Sequence, residues 1–155
     1  MELEKAKVLA DTVVKALEPY CKRIVVAGSI RRQKPTVRDI DLVLIPRDRQ
    51  SLDSALLLMG SYKMSGMKIA RVEMDSIPLD IYFATPETFA TLLLIRTGSV
   101  ESNIRLATRA KRRRWRLAAS GAGLFNEKGE RIAGDTEESI YEALGLPYQE
   151  PWERG

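Results

Sequence analysis

Apolar residues at Leu3, Val8, Ala10, Val13, Val14 and Leu17 recur with a helical period, which predicts an amphipathic helix over residues 2–20 with these side chains inward. Beyond it the pattern shortens. Ile24-Val25-Val26-Ala27 is a compact β-branched run that stops at Gly28, as a buried strand does where it meets a turn. A second strand is predicted over 39–45, where Ile40, Leu42 and Leu44 alternate, and a helix over 51–60. Residues 67–83 read as a hairpin ending in Leu79-Asp80-Ile81-Tyr82-Phe83, with Met74-Asp75-Ser76 and Pro78 marking its turn. Thr85-Pro86-Glu87 supplies the cap, first-turn proline and first-turn acid of a helix through Leu94. Ser99 caps a longer helix continuing to about Leu117. A small hairpin over 124–132 follows, then a last helix with Asp135 and Glu138 as its capping box and Gly145 as its stop.

The chain has 155 residues, 45% of them hydrophobic, enough for one sizeable core or two small coupled ones. No stretch is long and apolar enough to span a bilayer, and Met1-Glu2-Leu3-Glu4 is unlike a secretory leader, so the expectation is a cytoplasmic, intracellular protein without membrane contact. A single cysteine, Cys21, allows no internal disulfide and reads as a packing residue at a helix end. Histidine is absent, which removes zinc sites of the usual kind and any imidazole chemistry. The net charge of +4 is concentrated: Arg96, Arg105, Arg109, Lys111, Arg112, Arg113, Arg114 and Arg116 face only one acid, Glu101, between residues 96 and 116. A basic helix of this density predicts contacts with nucleic-acid phosphates and salt-dependent binding, with the remaining charges on a solvated face. Trp115 can pack on Leu106, Ala110 and Leu117 or stack on a base; the apolar neighbours favour packing and the choice stays open.

Candidate chemistry begins at the end of the first strand. In Gly28-Ser29-Ile30-Arg31-Arg32 the glycine lets backbone approach a ligand, the Ser29 hydroxyl donates to phosphate oxygens, and Arg31 and Arg32 offer charged forks for a triphosphate. Asp39 and Asp41, two apart on a strand, project from one face and repel each other. A hard cation such as Mg2+ relieves that repulsion. Two-metal chemistry needs a further carboxylate, and Asp80, opposite three apolar neighbours on its own strand, is preferred over Asp75 in the turn.

The spacing Gly28-Ser29-x-Arg31-Arg32-x6-Asp39-x-Asp41 resembles the palm motif of family X DNA polymerases, the group of DNA polymerase beta. Thr97-Gly98-Ser99 with Asn103 is similar to that family's nucleotide-binding segment on the thumb side. Thr136 to Tyr141 and Leu144-Gly145-Leu146-Pro147-Tyr148 are similar to its C-terminal end. The resemblance implies an α+β fold: a nucleotidyltransferase palm over residues 1–94, with a mixed or antiparallel sheet and helices on one face, then a small α+β thumb over 95–155. It also implies a reduced plan without the lyase and fingers domains. Asp39, Asp41 and Asp80 would hold two Mg2+ ions, with Mn2+ as a substitute, and carry catalysis. Gly28, Ser29, Arg32, Arg38, Ile95, Thr97, Gly98 and Asn103 would meet the dNTP, and Arg96, Arg105, Arg109, Lys111, Arg112 and Arg113 the DNA.

The implied activity is templated addition of dNMP to a primer 3′-hydroxyl by a monomer, in short-gap repair on gapped DNA or a primer–template. Three positions depart from the family pattern. Ile95-Arg96 stands where an aromatic pair usually packs against the sugar, Ala107 where an arginine supports the template pair, and Arg38 where a small residue precedes the first aspartate. These departures imply low fidelity and weakened exclusion of ribose. They also keep open a template-independent or RNA-directed terminal transferase, with a non-catalytic nucleic-acid-binding module as the third alternative.

Overall fold

The computed structural model describes residues 1–155. Helix α1 (Leu3–Leu17) opens the chain and passes through a single 3-10 turn into strand β1 (Cys21–Val26). A short helix α2 (Gly28–Arg31) leads by a loop to β2 (Ile40–Pro46), followed by α3 (Arg49–Leu57), capped by the Asp48 carboxylate accepting from the Gln50 and Ser51 N–H groups. Strands β3 (Ser61–Ser65), β4 (Ile69–Glu73) and β5 (Pro78–Phe83) complete a five-stranded sheet ordered β1-β2-β5-β4-β3. Only the central β2–β5 pair is parallel, so the sheet is mixed.

The two faces of this sheet are packed differently. On one, Ile40, Leu42, Leu44, Leu79 and Ile81 meet Ala6, Ala10, Val13 and Leu17 of α1 and Leu52 and Leu56 of α3. On the other, Val43 and Ile45 pack against Phe89, Leu92 and Leu93 of α4 (Phe89–Thr97). Because side chains alternate along β2, Asp41 emerges on the α4 face beside Val43. Helix α4 also sends Leu94 into a second core with Leu106, Leu124, Ile140, Tyr141 and Leu144. That core is closed by α5 (Val100–Arg112), a three-stranded sheet β6 (Arg116–Leu117), β7 (Leu124–Phe125) and β8 (Arg131–Ala133), and α6 (Glu137–Ala143). Trp115 and Leu117 pack at its margin. No helix is long and apolar enough to cross a membrane.

Several boundaries differ from the pattern-based expectation, each for a local reason. The buried stripe of α1 runs through Ala6, Ala10, Val13 and Leu17, so Val8 faces solvent at 70% exposure. Strand β3 carries no apolar alternation, being exposed at four of five positions on a sheet edge, which is why periodicity missed it. Helix α4 starts at Phe89, because Thr88 Oγ accepts from the Thr85 N–H and the Thr88 N–H returns to Thr85 O, closing a turn over Thr85-Pro86-Glu87. Helix α5 keeps its Ser99 cap but stops at Arg112, since Arg114 adopts a left-handed φ of 61° and the chain enters β6. The capping box of α6 is formed by Thr136 and Ser139 rather than Asp135 and Glu138, and Asp135 pairs with Arg131.

Candidate active site

The register of the central strands assembles the acids. Asp41 on β2 lies directly opposite Asp80 on β5, and Asp39 sits two residues upstream on the same side of the chain. Their carboxylate oxygens fall within 4.8 Å of one another. Asp41 is the strained member. Burial, then the charges of Asp39 and Asp80, push its pKa from the ordinary 3.8 up to about 7, with Arg96 opposing. Three hard oxygen donors at this separation, one of them buried against the charges of the other two, suit a divalent metal ion. The donor set therefore fits Mg2+ or Mn2+.

Glycine at 28 is dictated by the same cluster. Its φ is +61°, and a Cβ there would lie 2.1 Å from Asp41 Oδ2, so the turn after β1 closes over the carboxylate only because position 28 has no side chain. The turn, Asp39 and Asp41 share an open cavity of about 820 Å3, within the ~300–1,000 Å3 range of sites that hold small ligands; Asp80, buried at 8% exposure, does not line it. Gly28, Ser29, Arg32 and Arg38 line one wall, Ile95, Arg96, Gly98 and Asn103 another, and Asp39 and Asp41 are shared between them. Arg32 is held there by donating from Nη1 to Thr97 O at 2.6 Å, and Asn103 Nδ2 donates to Ile95 O at 2.9 Å.

Not every expected residue reaches the cavity. Arg31, read as a second phosphate fork, turns away to form a two-bond ion pair with Glu137, at 2.6 and 2.9 Å, and donates to Thr97 Oγ. Thr97 is fully buried in that contact rather than facing a ligand. Glu137 also accepts from Arg154, whose side chain is completely buried, so one carboxylate joins α2, α6 and the C-terminal segment. Burial raises the pKa of Glu137, but the hydrogen bond and charge of Arg31 and the Arg154 guanidinium outweigh it and hold the carboxyl below its usual range. Arg38 is exposed and lies on the cavity; the cation nearest Asp39 is Arg71, at 3.9 Å.

Among the basic residues of the second unit, Arg109 Nε donates to Leu144 O and Arg113 Nη1 to Ala143 O, satisfying carbonyls at the end of α6. Arg105 donates to Gln149. Lys111 and Arg112 project as exposed cations. Arg96 lies over the Tyr82 ring at 4.2 Å on the cavity wall. Sequence reasoning missed three groups that shape the site: Arg71, Tyr82 and Glu137. Tyr82 was recoverable from β5 alternation, which puts it on the Asp80 face; Arg71 and Glu137 act through long-range partners that no local pattern encodes.

A mixed sheet carrying a carboxylate cluster beside a glycine-serine turn, joined through one helix to a smaller α+β unit, is the architecture expected of a polymerase beta-type palm and thumb fragment. Residues 92–155 match the family model described as DNA polymerase beta thumb. The chain is 30% identical over 131 residues to the DNA polymerase/3′-5′ exonuclease PolX of Bacillus subtilis, and 30% identical over 161 residues to DNA polymerase lambda of Rattus norvegicus. These alignments take in 81% and 84% of this chain but only 23% and 28% of the two relatives. Repair DNA polymerase X of African swine fever virus is 28% identical over 144 residues, covering 86% of this chain and 82% of the viral protein. The chain is thus a relative of the family X DNA polymerases.

Proposed function

We propose that this chain is a nucleotidyltransferase that adds dNMP from a dNTP to a primer 3′-hydroxyl on gapped or primer–template DNA, in short-gap repair. The observation that carries the reading is the alignment of Asp41 and Asp80 across the parallel β2–β5 pair, with Asp39 alongside and the Gly28-Ser29 turn closed over them. The names of the relatives, repair and lambda polymerases, favour DNA as the substrate. Residues 1–94 form the palm in this reading and 95–155 the thumb; two separate cores support the division, with Leu94 reaching from the palm side into the second.

Asp39, Asp41 and Asp80 would hold two Mg2+ ions, or Mn2+; bound there, the metal lowers the pKa of the attacking hydroxyl and neutralises the leaving pyrophosphate. The chain's own residues do the rest. Ser29 and Arg32 bind the β- and γ-phosphates, with Arg38 adding charge at the cavity mouth. Gly98 and Asn103, on the opposite wall, position the base and sugar. Asp80, whose two oxygens both accept from Arg71, takes the proton of the primer hydroxyl at the oxygen that Arg71 gives up as the hydroxyl attacks the α-phosphate, and catalysis comes from positioning and charge neutralisation. Lys111 and Arg112 contact DNA phosphates, with Arg96 at the cavity edge, whereas Arg105, Arg109 and Arg113 reach DNA only with whichever donors their protein partners leave free.

One observation favours a second reading, untemplated or RNA-directed addition. Ile95 and the Arg96–Tyr82 stack occupy the wall where relatives are expected to place an aromatic pair against the sugar. Primer extension with Mg2+ separates the two. Single-nucleotide gapped DNA and an untemplated strand are offered dNTPs and rNTPs, one base at a time. Template-matched dNMP addition supports gap filling, addition regardless of template supports the terminal transferase, and no addition by a folded protein refutes both.

A further inference from the structure

We propose that Arg71 is a positioning residue of this site: a resident cation that holds Asp80 by both carboxylate oxygens and releases one of them to a divalent ion or an attacking hydroxyl. The inference rests on the nucleotidyl-transfer reading above. Strands β4 and β5 run antiparallel with Arg71 directly opposite Asp80, so both side chains emerge on the face that carries Asp41. Arg71 Nε donates to Asp80 Oδ1 at 2.6 Å and Nη2 to Oδ2 at 2.8 Å. Both oxygens are taken. The same Nη2 lies 3.9 Å from Asp39 Oδ2, so a single guanidinium offsets the charge of two of the three clustered acids.

The exposures assign the moving part. The Asp80 side chain is 11% exposed and fixed by its strand, while that of Arg71 is 40% exposed on a flexible stem. Each oxygen of Asp80 keeps a second lone pair beside the one given to Arg71, but a cation or proton arriving on the guanidinium side has to displace one of these two bonds. The fork then slides to one oxygen or swings out when the site fills. An ammonium in its place would still offset charge but could not hold both oxygens in one plane. Charge and orientation are thereby separable by substitution.

The experiment is Mn2+ binding to the full chain without nucleotide or DNA, followed through the paramagnetic resonance of free Mn2+, for wild type, Arg71→Gln and Arg71→Lys. Removing the competing charge should tighten Mn2+ binding by Arg71→Gln at least about five-fold, the worth of one pair of unit charges near 4 Å at water-like dielectric and a floor because Mn2+ carries two. Arg71→Lys should bind Mn2+ within about two-fold of wild type, yet lose at least about ten-fold in kcat for primer extension with KM for dNTP unchanged, because the planar grip is gone. Mn2+ binding by Arg71→Gln equal to or weaker than wild type overturns the inference. So does wild-type kcat in Arg71→Lys, which carries the test alone if the glutamine variant does not fold. A wild-type protein that binds no Mn2+ removes the site reading as well. Tight wild-type binding with unchanged Arg71→Gln affinity removes the role of Arg71 only.

Discussion

Glu137→Gln tests whether the buried ion cluster holds the turn and helix α2 that follow β1 to the rest of the molecule. The Glu137 carboxylate accepts two bonds from Arg31 and one from Arg154, at 2.6 to 2.9 Å. Gln keeps the shape but removes the charge and turns an NH2 toward one of the guanidinium donors. Arg154 has no route to water, its side chain being fully buried, whereas Arg31 is 21% exposed and keeps Thr97 Oγ. Breaking a buried pair on one side costs about 3–5 kcal/mol, and the partial exposure of Arg31 argues for about 3. For a chain of this size that lowers Tm by about 6–12 °C. Urea denaturation at neutral pH measures it directly, and a loss below about 1 kcal/mol would refute the reasoning. The pH dependence supplies an independent check. Because the folded-state pKa of Glu137 is depressed, its contribution is complete above the ordinary value of 4.5 and is lost as pH falls through the folded value. Wild type and variant should therefore converge in acid; parallel curves would show that the charge of Glu137 is not what stabilises.

Three further outcomes follow from the same geometry. Gly28→Ala forces a Cβ to within 2.1 Å of Asp41 Oδ2 at a φ of +61°; it should cost about 1–2 kcal/mol from the left-handed backbone alone and at least about 100-fold in incorporation rate, checked by denaturation and primer extension. Asp41→Asn should abolish Mg2+-dependent incorporation yet stabilise the metal-free fold. Charging Asp41 in the folded state is disfavoured as pH rises from 3.8 through about 7, so the variant's advantage is absent near pH 4 and reaches up to about 4 kcal/mol above pH 8, measured in chelator. Replacing exposed Lys111 and Arg112 by Ala should reduce the log–log salt slope of DNA binding by about 1.8 while leaving stability within about 0.5 kcal/mol, as fluorescence anisotropy and melting would show.

What could be read from the sequence was whatever depends on neighbours along the chain. Alternation in β2 and β5 separated Asp41 and Asp80 from Ile40, Leu42, Leu79 and Ile81, and Gly28 marked the turn that needs a residue without a side chain. The Ser99 cap was legible because it bonds three residues ahead. The rest was hidden because it depends on partners far along the chain. Arg31 looks like its neighbour Arg32 until Glu137, 106 residues away, claims it. Glu137 reads as an ordinary first-turn acid of α6, and Arg71 as a solvent-facing strand residue, until the β4–β5 register brings Asp80 opposite. Helix α5 reads as running to about Leu117 because nothing in the basic run past Arg112 marks a stop, although the backbone turns left-handed at Arg114.

The meeting of Asp41 and Asp80 across β2 and β5 has a consequence for how the molecule comes into being. Those strands are separated in sequence by α3, β3 and β4, and parallel long-range pairing is among the slower events of folding. The acid cluster is consequently incomplete, lacking Asp80 beside Asp39 and Asp41, until β5 has been made and docked. Folding should run to completion in chelator. It also makes the site sensitive to chain length in an unusual way: deleting one residue within either strand leaves every aspartate in the sequence, but forces a choice between keeping the leucines and isoleucines inside and keeping the acids aligned. The hydrophobic side of the sheet would win that choice, and the cluster would be lost.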